Sequence, residues 1–181
     1  MAFYDDEVQV LIGATQLSGR VSQLAAELSR DYRDKALTIV AVLKGSIFFA
    51  ADLARAIDLP LTLEFLGVSS YQGGTESTGE VRITSDVSTP MAGRDILLVE
   101  DIVDTGLTMR FLLENLRARH PASLRSCALL EKPARSRGQI KLDYRGFAID
   151  DVFVVGYGLD FGERYRNLPF VGVLNAASSS G

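Results

Sequence analysis

The chain of 181 residues contains a single cysteine, Cys127. One cysteine excludes a disulfide within the chain and suits the reducing cytoplasm. The N-terminal stretch MAFYDDEVQV has no basic region followed by an apolar core, so we expect no signal peptide. No apolar run approaches the length of a membrane span. We therefore expect a cytoplasmic protein with no membrane partner.

Positive charge is not in excess, because 19 Lys and Arg stand against 23 Asp and Glu, for a formal net charge of -4. We expect no general affinity for nucleic acid, although a local basic patch is compatible with this balance. Hydrophobic residues make up 47% of the chain, a value typical of globular domains. The length fits one domain better than two. Residues 1–181 are therefore predicted to form a single domain with a frayed polar tail at 175–181.

Hydrophobic periodicity predicts helices and strands that alternate through the middle of the chain. The predicted helices cover 15–30, 46–57 and 107–119, and the predicted strands cover 37–42, 61–68, 96–99, 123–131 and 151–159. Such alternation favours a mostly parallel sheet covered by helices on both faces. The segment SSYQGGTESTGE (69–80) has no periodicity and no aliphatic residue, which indicates an exposed, mobile loop.

Polar residues follow several predicted strands at their carboxyl ends, where ligands of parallel sheets bind. The richest example is VEDIVDTGLT (99–108), and the strand ends at 43–45 and 131–132 each carry a lysine. If a helix begins near Gly106 or Leu107, the N–H groups of 104–108 lack helical partners. With the hydroxyls of Thr105 and Thr108, these groups form a cup suited to phosphate. Gly106 permits close approach because it has no Cβ.

The acids before this cup require a separate explanation. Glu100 and Asp101 would repel a bare phosphate, but they suit ribose hydroxyls or a magnesium ion that the ligand also holds. A helix cap formed by Asp104 or Thr105 explains one polar residue and leaves Glu100 and Asp101 unexplained. The chain contains no G-x-x-x-x-G-K-[ST] motif, which excludes a Walker A nucleotide site.

The stretch ILLVEDIVDTGLT (96–108) resembles the motif with which type I phosphoribosyltransferases bind 5-phosphoribosyl-1-diphosphate (PRPP). Aspartate at position 104 resembles the hypoxanthine-guanine branch of that family. Further blocks follow the family order, namely VLKGS (42–46), SSYQGGTESTGEV (69–81), LLEKPARS (129–136) and VFVVGYGLDFGERYR (152–166). The resemblance extends roughly from residue 10 to 175.

The resemblance implies that a different set of residues binds each chemical group of PRPP. Lys44, Gly45 and Arg166 would bind the diphosphate, and the Leu43–Lys44 peptide can be cis in this family. The ribose phosphate would lie against the segment containing Asp104, Thr105, Gly106, Leu107 and Thr108. Glu100 and Asp101 would bind the ribose hydroxyls, directly or through Mg²⁺, and Asp160 would hold a second Mg²⁺.

For the second substrate, the resemblance implies a six-oxopurine base. Lys132 would donate to the six-oxo group, Phe153 would stack on the base, and the backbone of Val154 would read its exocyclic edge. Asp104 would be the catalytic residue, as the general base that accepts a proton from the imidazole ring. Core packing is the commoner fate of residues such as Phe153 and Val154.

Two residues of the 69–80 loop, Ser70 and Tyr71, match the flexible catalytic loop of the family. A long polar loop with glycine hinges can close over a site and exclude water.

The resemblance implies the type I phosphoribosyltransferase fold: a mostly parallel, twisted sheet, helices on both faces and a small hood formed by the chain ends. It implies purine salvage, in which the phosphoribosyl group passes from PRPP to hypoxanthine and/or guanine. It also implies a homodimer or homotetramer with Lys44 near the interface. One alternative is a transferase for xanthine or another base. The other is a PRPP-sensing regulator that binds nucleic acid, which should show a basic face.

Overall fold

The computed structural model describes residues 8–70, 81–138 and 140–174. The strands are β1 (Val8–Ile12), β2 (Leu37–Leu43), β3 (Leu61–Ser70), β4 (Val81–Ser85), β5 (Asp95–Val103), β6 (Ser123–Glu131), β7 (Tyr144–Ala148), β8 (Val154–Val155) and β9 (Val171–Leu174). The helices are α1 (Ala14–Asp31), α2 (Ile47–Ala56), α3 (Leu107–Arg117) and α4 (Pro133–Ser136). No helix of the described ranges is long and apolar enough to cross a membrane.

The main sheet has six strands in the order β4-β3-β2-β5-β6-β7. Its strands pair in parallel except at the edge, where β4 runs antiparallel to β3. Alternate side chains of β2 point to opposite faces of the sheet, as the two-residue period of a strand requires. Ile39 and Ala41 pack in the cluster that contains the buried residues of α1 and α2. Val40 and Val42 pack in the cluster that contains those of α3. The predicted sheet with helices on both faces is confirmed.

A second, smaller sheet joins the two ends of the described chain. Its order is β1-β9-β8, and both pairings are antiparallel. Val8 of β1 lies opposite Leu174 of β9, so residues far apart in the sequence are neighbours here. This sheet is the predicted hood.

The predicted helices are confirmed to within a few residues, but two strand predictions were wrong in extent. The strand predicted at 151–159 is reduced to Val154–Val155. Gly156, Tyr157 and Gly158 follow it with φ values of 95°, 50° and 106°, which turn the chain out of the extended conformation. β5 continues past the predicted end at residue 99 as far as Val103, because its pairing with β6 continues to Glu131.

The loop predicted at 69–80 also changes at its start. Ser69 and Ser70 belong to β3, since they pair with Arg82 and Val81 of β4. Tyr71 and the rest of that loop, through residue 80, lie outside the described residues, as does the predicted tail at 175–181.

Two glycines provide a matched test of the packing between β6 and β7. A Cβ on Gly146 would lie 2.3 Å from the carbonyl oxygen of Leu129, whereas a Cβ on Gly19 of α1 would meet nothing within 4 Å. We expect Gly146→Ala to lower the free energy of unfolding by about 1–3 kcal/mol through overpacking. Gly19→Ala should raise it by up to about 1 kcal/mol because alanine favours the helix. Urea unfolding measures both, and equal effects of the two changes would contradict this packing.

Candidate active site

The polar strand ends meet at one edge of the main sheet because the central strands run parallel and in register. Ala41 of β2 pairs with Val99 of β5, and Val103 of β5 pairs with Glu131 of β6. Beyond the last pair, the N–H of Lys132 donates to the carbonyl oxygen of Val103 at 3.0 Å. The polar segments that follow β2, β5 and β6 are therefore adjacent, as the sequence predicted.

The backbone just after β2 packs closely against two other segments of the site. The Leu43–Lys44 peptide is cis. A Cβ on Gly45 would lie 1.7 Å from Oδ2 of Asp101, so the carboxylate rests directly on the glycine backbone. From the other side, a Cβ on Gly158 would lie 1.9 Å from the carbonyl oxygen of Gly45. A side chain at position 158 would clash with backbone, and one at position 45 would displace the Asp101 carboxylate. The backbone contact holds the segment around residue 158 against the end of β2.

The predicted diphosphate-binding cations lie beside this contact, each paired with an acid. Lys44 Nζ is 3.0 Å from Glu163 Oε2, and both side chains are exposed. Arg166 Nη2 is 2.8 Å from Asp160 Oδ1, and its Nη1 donates to the carbonyl oxygen of Gly158 at 2.7 Å. Nε of Arg166 is buried without a hydrogen-bond partner in the described part of the chain. This unpaired donor indicates that the guanidinium has capacity for an anion.

The carboxylates at the end of β5 are poorly solvated. Glu100 is 4% exposed, and burial, together with the charge of Asp101, raises its pKa well above the usual value. Desolvation also raises the pKa of Asp101 to about 6, although backbone hydrogen bonds at Asp101 and Ile102 and the charge of Arg166 oppose the shift, to which the charge of Asp160 adds. A cation brought by a ligand would relieve both carboxylates.

Oxygen donors of this kind fit magnesium, which prefers carboxylate, phosphate and water ligands. Among residues 8–70, 81–138 and 140–174, no group of three or more His, Cys, Asp or Glu side chains forms a ready metal cage. Magnesium commonly keeps several waters and is shared between one or two carboxylates and a phosphate ligand. Glu100, Asp101 and Asp160 therefore fit an ion held jointly with a bound ligand.

A loop precedes α3 at the position where the phosphate cup is predicted. Gly106 is the N-cap of α3 with φ 84°, a left-handed conformation that favours glycine. The helix begins at Leu107, where the sequence placed it. No side chain of Gly106 is available to cap the helix, and Thr105 Oγ1 accepts only a long bond from the N–H of Leu107, 3.5 Å. Asp104 pairs with Arg135 instead, so it is not the helix cap.

Next to the cup, ion pairs connect the ends of β5, β6 and β7. Lys132 Nζ lies 3.3 Å from Asp151 Oδ1, and Lys132 is only 7% exposed. Arg135 Nε pairs with Asp104, and Arg135 Nη1 lies 3.6 Å from Asp151 Oδ2. A cavity of about 440 Å³ opens here, lined by Thr105, Leu107, Ala134, Arg135, Arg137 and Asp151.

The two predicted base-binding residues after β7 have different surroundings. Phe153 is 56% exposed, so core packing does not explain it. Its ring contacts that of Phe161 edge to face, with centroids 5.7 Å apart and an interplanar angle of 82°. Val154 is buried in β8, and this strand pairs with β9. Phe153 thus presents an aromatic surface to the solvent, while the side chain of Val154 belongs to the core.

The structure brings the predicted residues together in two groups. One contains Lys44, Gly45, Glu100, Asp101, Asp160 and Arg166, and the other contains Asp104, Lys132 and the residues of the cup. Sequence reasoning missed Glu163, Arg135, Asp151 and Phe161. Arg135 had a usable signal, because Pro133 opens a helical turn that sets residues 132 and 135 three apart. The pairs of Asp151 with Lys132 and of Glu163 with Lys44 join residues 19 and 119 positions apart, so no local pattern marked them. Phe161 contacts Phe153 of the same segment.

Comparison with known proteins agrees with this geometry. The family model described as "Phosphoribosyl transferase domain" matches residues 13–162. The chain belongs to the phosphoribosyltransferase family.

Within that family, the chain is similar to hypoxanthine-guanine phosphoribosyltransferases. The chain is 48% identical to the hypoxanthine-guanine phosphoribosyltransferase of Mycobacterium avium, over 94% of this chain and 87% of that protein. It is 47% identical to that of Bacillus subtilis (strain 168), over 95% and 96% respectively. A hypoxanthine phosphoribosyltransferase structure from Staphylococcus aureus superposes with a TM-score of 0.93 at 42% identity, covering 100% of this chain and 98% of that one. The expected family, branch and fold are confirmed.

The contact between Gly45 and Asp101 can be tested by adding one methyl group. We expect Gly45→Ala to weaken binding of magnesium diphosphate about tenfold or more, because the Cβ displaces Asp101 or the backbone beside Lys44. Isothermal titration calorimetry measures the affinity, with Gly19→Ala as the control for a glycine in open surroundings. Unchanged affinity in Gly45→Ala would contradict the close packing described here.

Proposed function

We propose that this protein transfers the 5-phosphoribosyl group from PRPP to hypoxanthine or guanine, giving IMP or GMP and diphosphate. One observation carries the proposal: the polar ends of β2, β5 and β6 meet at one sheet edge and carry Lys44, Asp104 and Lys132. The names of the relatives, at 44–48% identity, support the same reaction. None of the relatives described above is named as a regulator or as a transferase for another base.

Departure of the diphosphate requires stabilisation of negative charge. Lys44, Gly45 and Arg166 would bind this group, with Nε of Arg166 as a donor already buried and unpaired. Glu163 pairs with Lys44, and Asp160 pairs with Arg166. When the diphosphate binds, each cation therefore exchanges an acidic side chain for another anion. The cost of removing water from bare charges is thereby reduced.

Glu100 and Asp101 would hold the ribose hydroxyls, and with Asp160 they would hold magnesium. Bound there, the ion would neutralise charge on the diphosphate and help to orient PRPP. The loop with Asp104, Thr105, Gly106, Leu107 and Thr108 would bind the ribose phosphate through backbone N–H groups and hydroxyls. These contacts fix the ribose carbon relative to the base, and such positioning supplies much of the rate.

The base would bind between Phe153 and the Lys132–Asp104 side of the site. Lys132 would donate to the six-oxo group, Phe153 would stack, and the backbone of Val154 would read the exocyclic edge. Asp104 would accept the imidazole proton as the new bond to the ribose carbon forms. Ser70 and Tyr71 would act from the loop that closes over PRPP, which remains a prediction.

We further infer a homodimer or homotetramer that works in the cytoplasm. Four large apolar side chains on α2 and β3 are exposed, namely Ile47, Phe48, Leu63 and Phe65. Leu63 and Phe65 lie beside Ile39 and Ala41 of β2, on the face of the sheet that α2 covers. Exposed apolar surface of this kind supports contact with another subunit. The lone, buried Cys127 is compatible with a reducing compartment.

The direct test of the reaction is diphosphate release with PRPP, Mg²⁺ and each candidate base in turn. We expect turnover with hypoxanthine and with guanine. Little is expected with adenine, which lacks the oxo group that Lys132 would bind, or with uracil and orotate, which lack the imidazole nitrogen that Asp104 would deprotonate. Xanthine tests the preference among six-oxopurines. If no purine gives diphosphate release, the proposed function is overturned.

The role of Asp104 is tested by its amide. Asp104→Asn keeps the shape of the side chain but removes the base, so we expect kcat to fall by about 10²-fold or more while KM for PRPP changes little. Steady-state kinetics separate the two parameters. Asp58→Asn, at an exposed acid before β3, is the control for loss of one negative charge. Equal losses in kcat and PRPP affinity, or retained turnover, would count against the assignment.

A further inference from the structure

Four side chains with alternating charge form a continuous chain along the base-binding side of the site. It runs from Lys132 to Asp151, from Asp151 to Arg135 and from Arg135 to Asp104. The two ends are the residues assigned above to the six-oxo group and to the imidazole proton of the base. The two middle residues have no place in the proposed reaction and were not predicted from the sequence.

The backbone that carries Arg135 is fixed by buried hydrogen bonds. Arg135 lies on α4, whose first turn is closed by bonds from the N–H groups of Arg135 and Ser136 to the carbonyl oxygen of Lys132, each 3.0 Å. Ser136 is fully buried and donates to Glu131 Oε1 at 3.1 Å. Arg145 holds the other oxygen of Glu131 at 2.8 Å. The guanidinium of Arg135 therefore extends towards Asp104 from a rigid turn.

When Asp104 accepts a proton from the ring, its carboxylate loses the negative charge that attracts Arg135, so this ion pair weakens. The guanidinium of Arg135 has a second acceptor within reach, since its Nη1 lies 3.6 Å from Asp151 Oδ2. A short shift converts this contact into a full ion pair without leaving a cation unpaired. Asp151 also pairs with Lys132, so the same carboxylate contacts the cations next to both recognition groups.

We propose that Arg135 and Asp151 are positioning residues: Arg135 holds the Asp104 carboxylate in place until it accepts the purine proton, and then pairs with Asp151. Asp151 also directs Lys132 towards the oxo group. The oxo group and the imidazole nitrogen are neighbours on one edge of the purine, so the chain of charges aligns both contacts together. This inference rests on the proposed function.

An ordinary surface ion pair would contribute little, since exposed pairs are commonly worth less than about 1 kcal/mol. Two features distinguish this chain from such a pair. Lys132 is nearly buried, so its ammonium group relies on Asp151 in place of water. Arg135 reaches carboxylates from two different segments, one after β5 and one after β7.

The experiment compares steady-state kinetics of Arg135→Gln and Asp151→Asn with wild type, varying the base and PRPP separately. We expect Arg135→Gln to lower kcat about tenfold with KM for PRPP within twofold, because the Asp104 carboxylate, the general base, is displaced while the contacts to PRPP remain. Asp151→Asn should raise KM for hypoxanthine about fivefold or more, because Lys132 loses its orienting partner. Arg135→Lys keeps one charge and should recover most of the lost kcat.

A double-mutant cycle decides whether Arg135 acts through Asp104. In the Asp104→Asn background, Arg135→Gln should cost no more than twofold, because the group that Arg135 positions is already gone. A further tenfold loss in that background would overturn the proposal, as would single variants that match wild type. Arg117→Gln is the matched control, since Arg117 is an exposed arginine at the far end of α3.

The wild-type arm separates this inference from the reaction on which it rests. If wild type shows no turnover with any purine, the proposed function fails and this inference fails with it. If wild type turns over hypoxanthine or guanine and the variants lack the expected pattern, only the positioning roles of Arg135 and Asp151 are overturned.

Discussion

The parallel register of β2, β5 and β6 is the constraint on which the rest of the site depends. Parallel strands in register present their carboxyl ends at one edge, so segments separated by tens of residues become neighbours. The bond from the N–H of Lys132 to the carbonyl oxygen of Val103 extends this pairing beyond the sheet. A shift of one residue in β5 would exchange the faces of its side chains and separate Glu100 and Asp101 from Gly45.

Charge compensation between side chains explains how so many ionised groups occupy a small volume. The cations Lys44, Arg166, Lys132 and Arg135 are each paired with an acid, and these pairs connect different segments. Glu100 and Asp101 are the exception, and burial raises the pKa of both. A polyanion that binds together with a metal ion suits both sets of residues. The polyanion takes the place of the acids at the cations, and the metal ion brings positive charge to the Glu100 and Asp101 carboxyls.

Local patterns predicted much of this molecule, and contacts between distant segments account for what they missed. The start of α3 at Leu107 could be predicted because glycine and hydroxyl residues mark a helix start within a few positions. The strand predicted at 151–159 was wrong because its apolar run does not reveal the positive φ values at 156–158. The pairing of Arg135 with Asp104 depends on the distance between α4 and the loop before α3, which no single stretch of sequence encodes.

The two halves of the site differ in how closely their backbone segments pack, and this difference has a functional consequence. On the diphosphate side, ion pairs hold Lys44 and Arg166, and the backbone beside them is also closely packed, since a Cβ on Gly158 would lie 1.9 Å from the carbonyl oxygen of Gly45. On the base side, Lys132 and Arg135 are held by ion pairs between side chains, which can shift by rotation about single bonds. PRPP is common to every reaction of the proposed kind, whereas the base varies. Close backbone packing therefore lies where the ligand is constant, and side-chain ion pairs line the part of the site where the base varies.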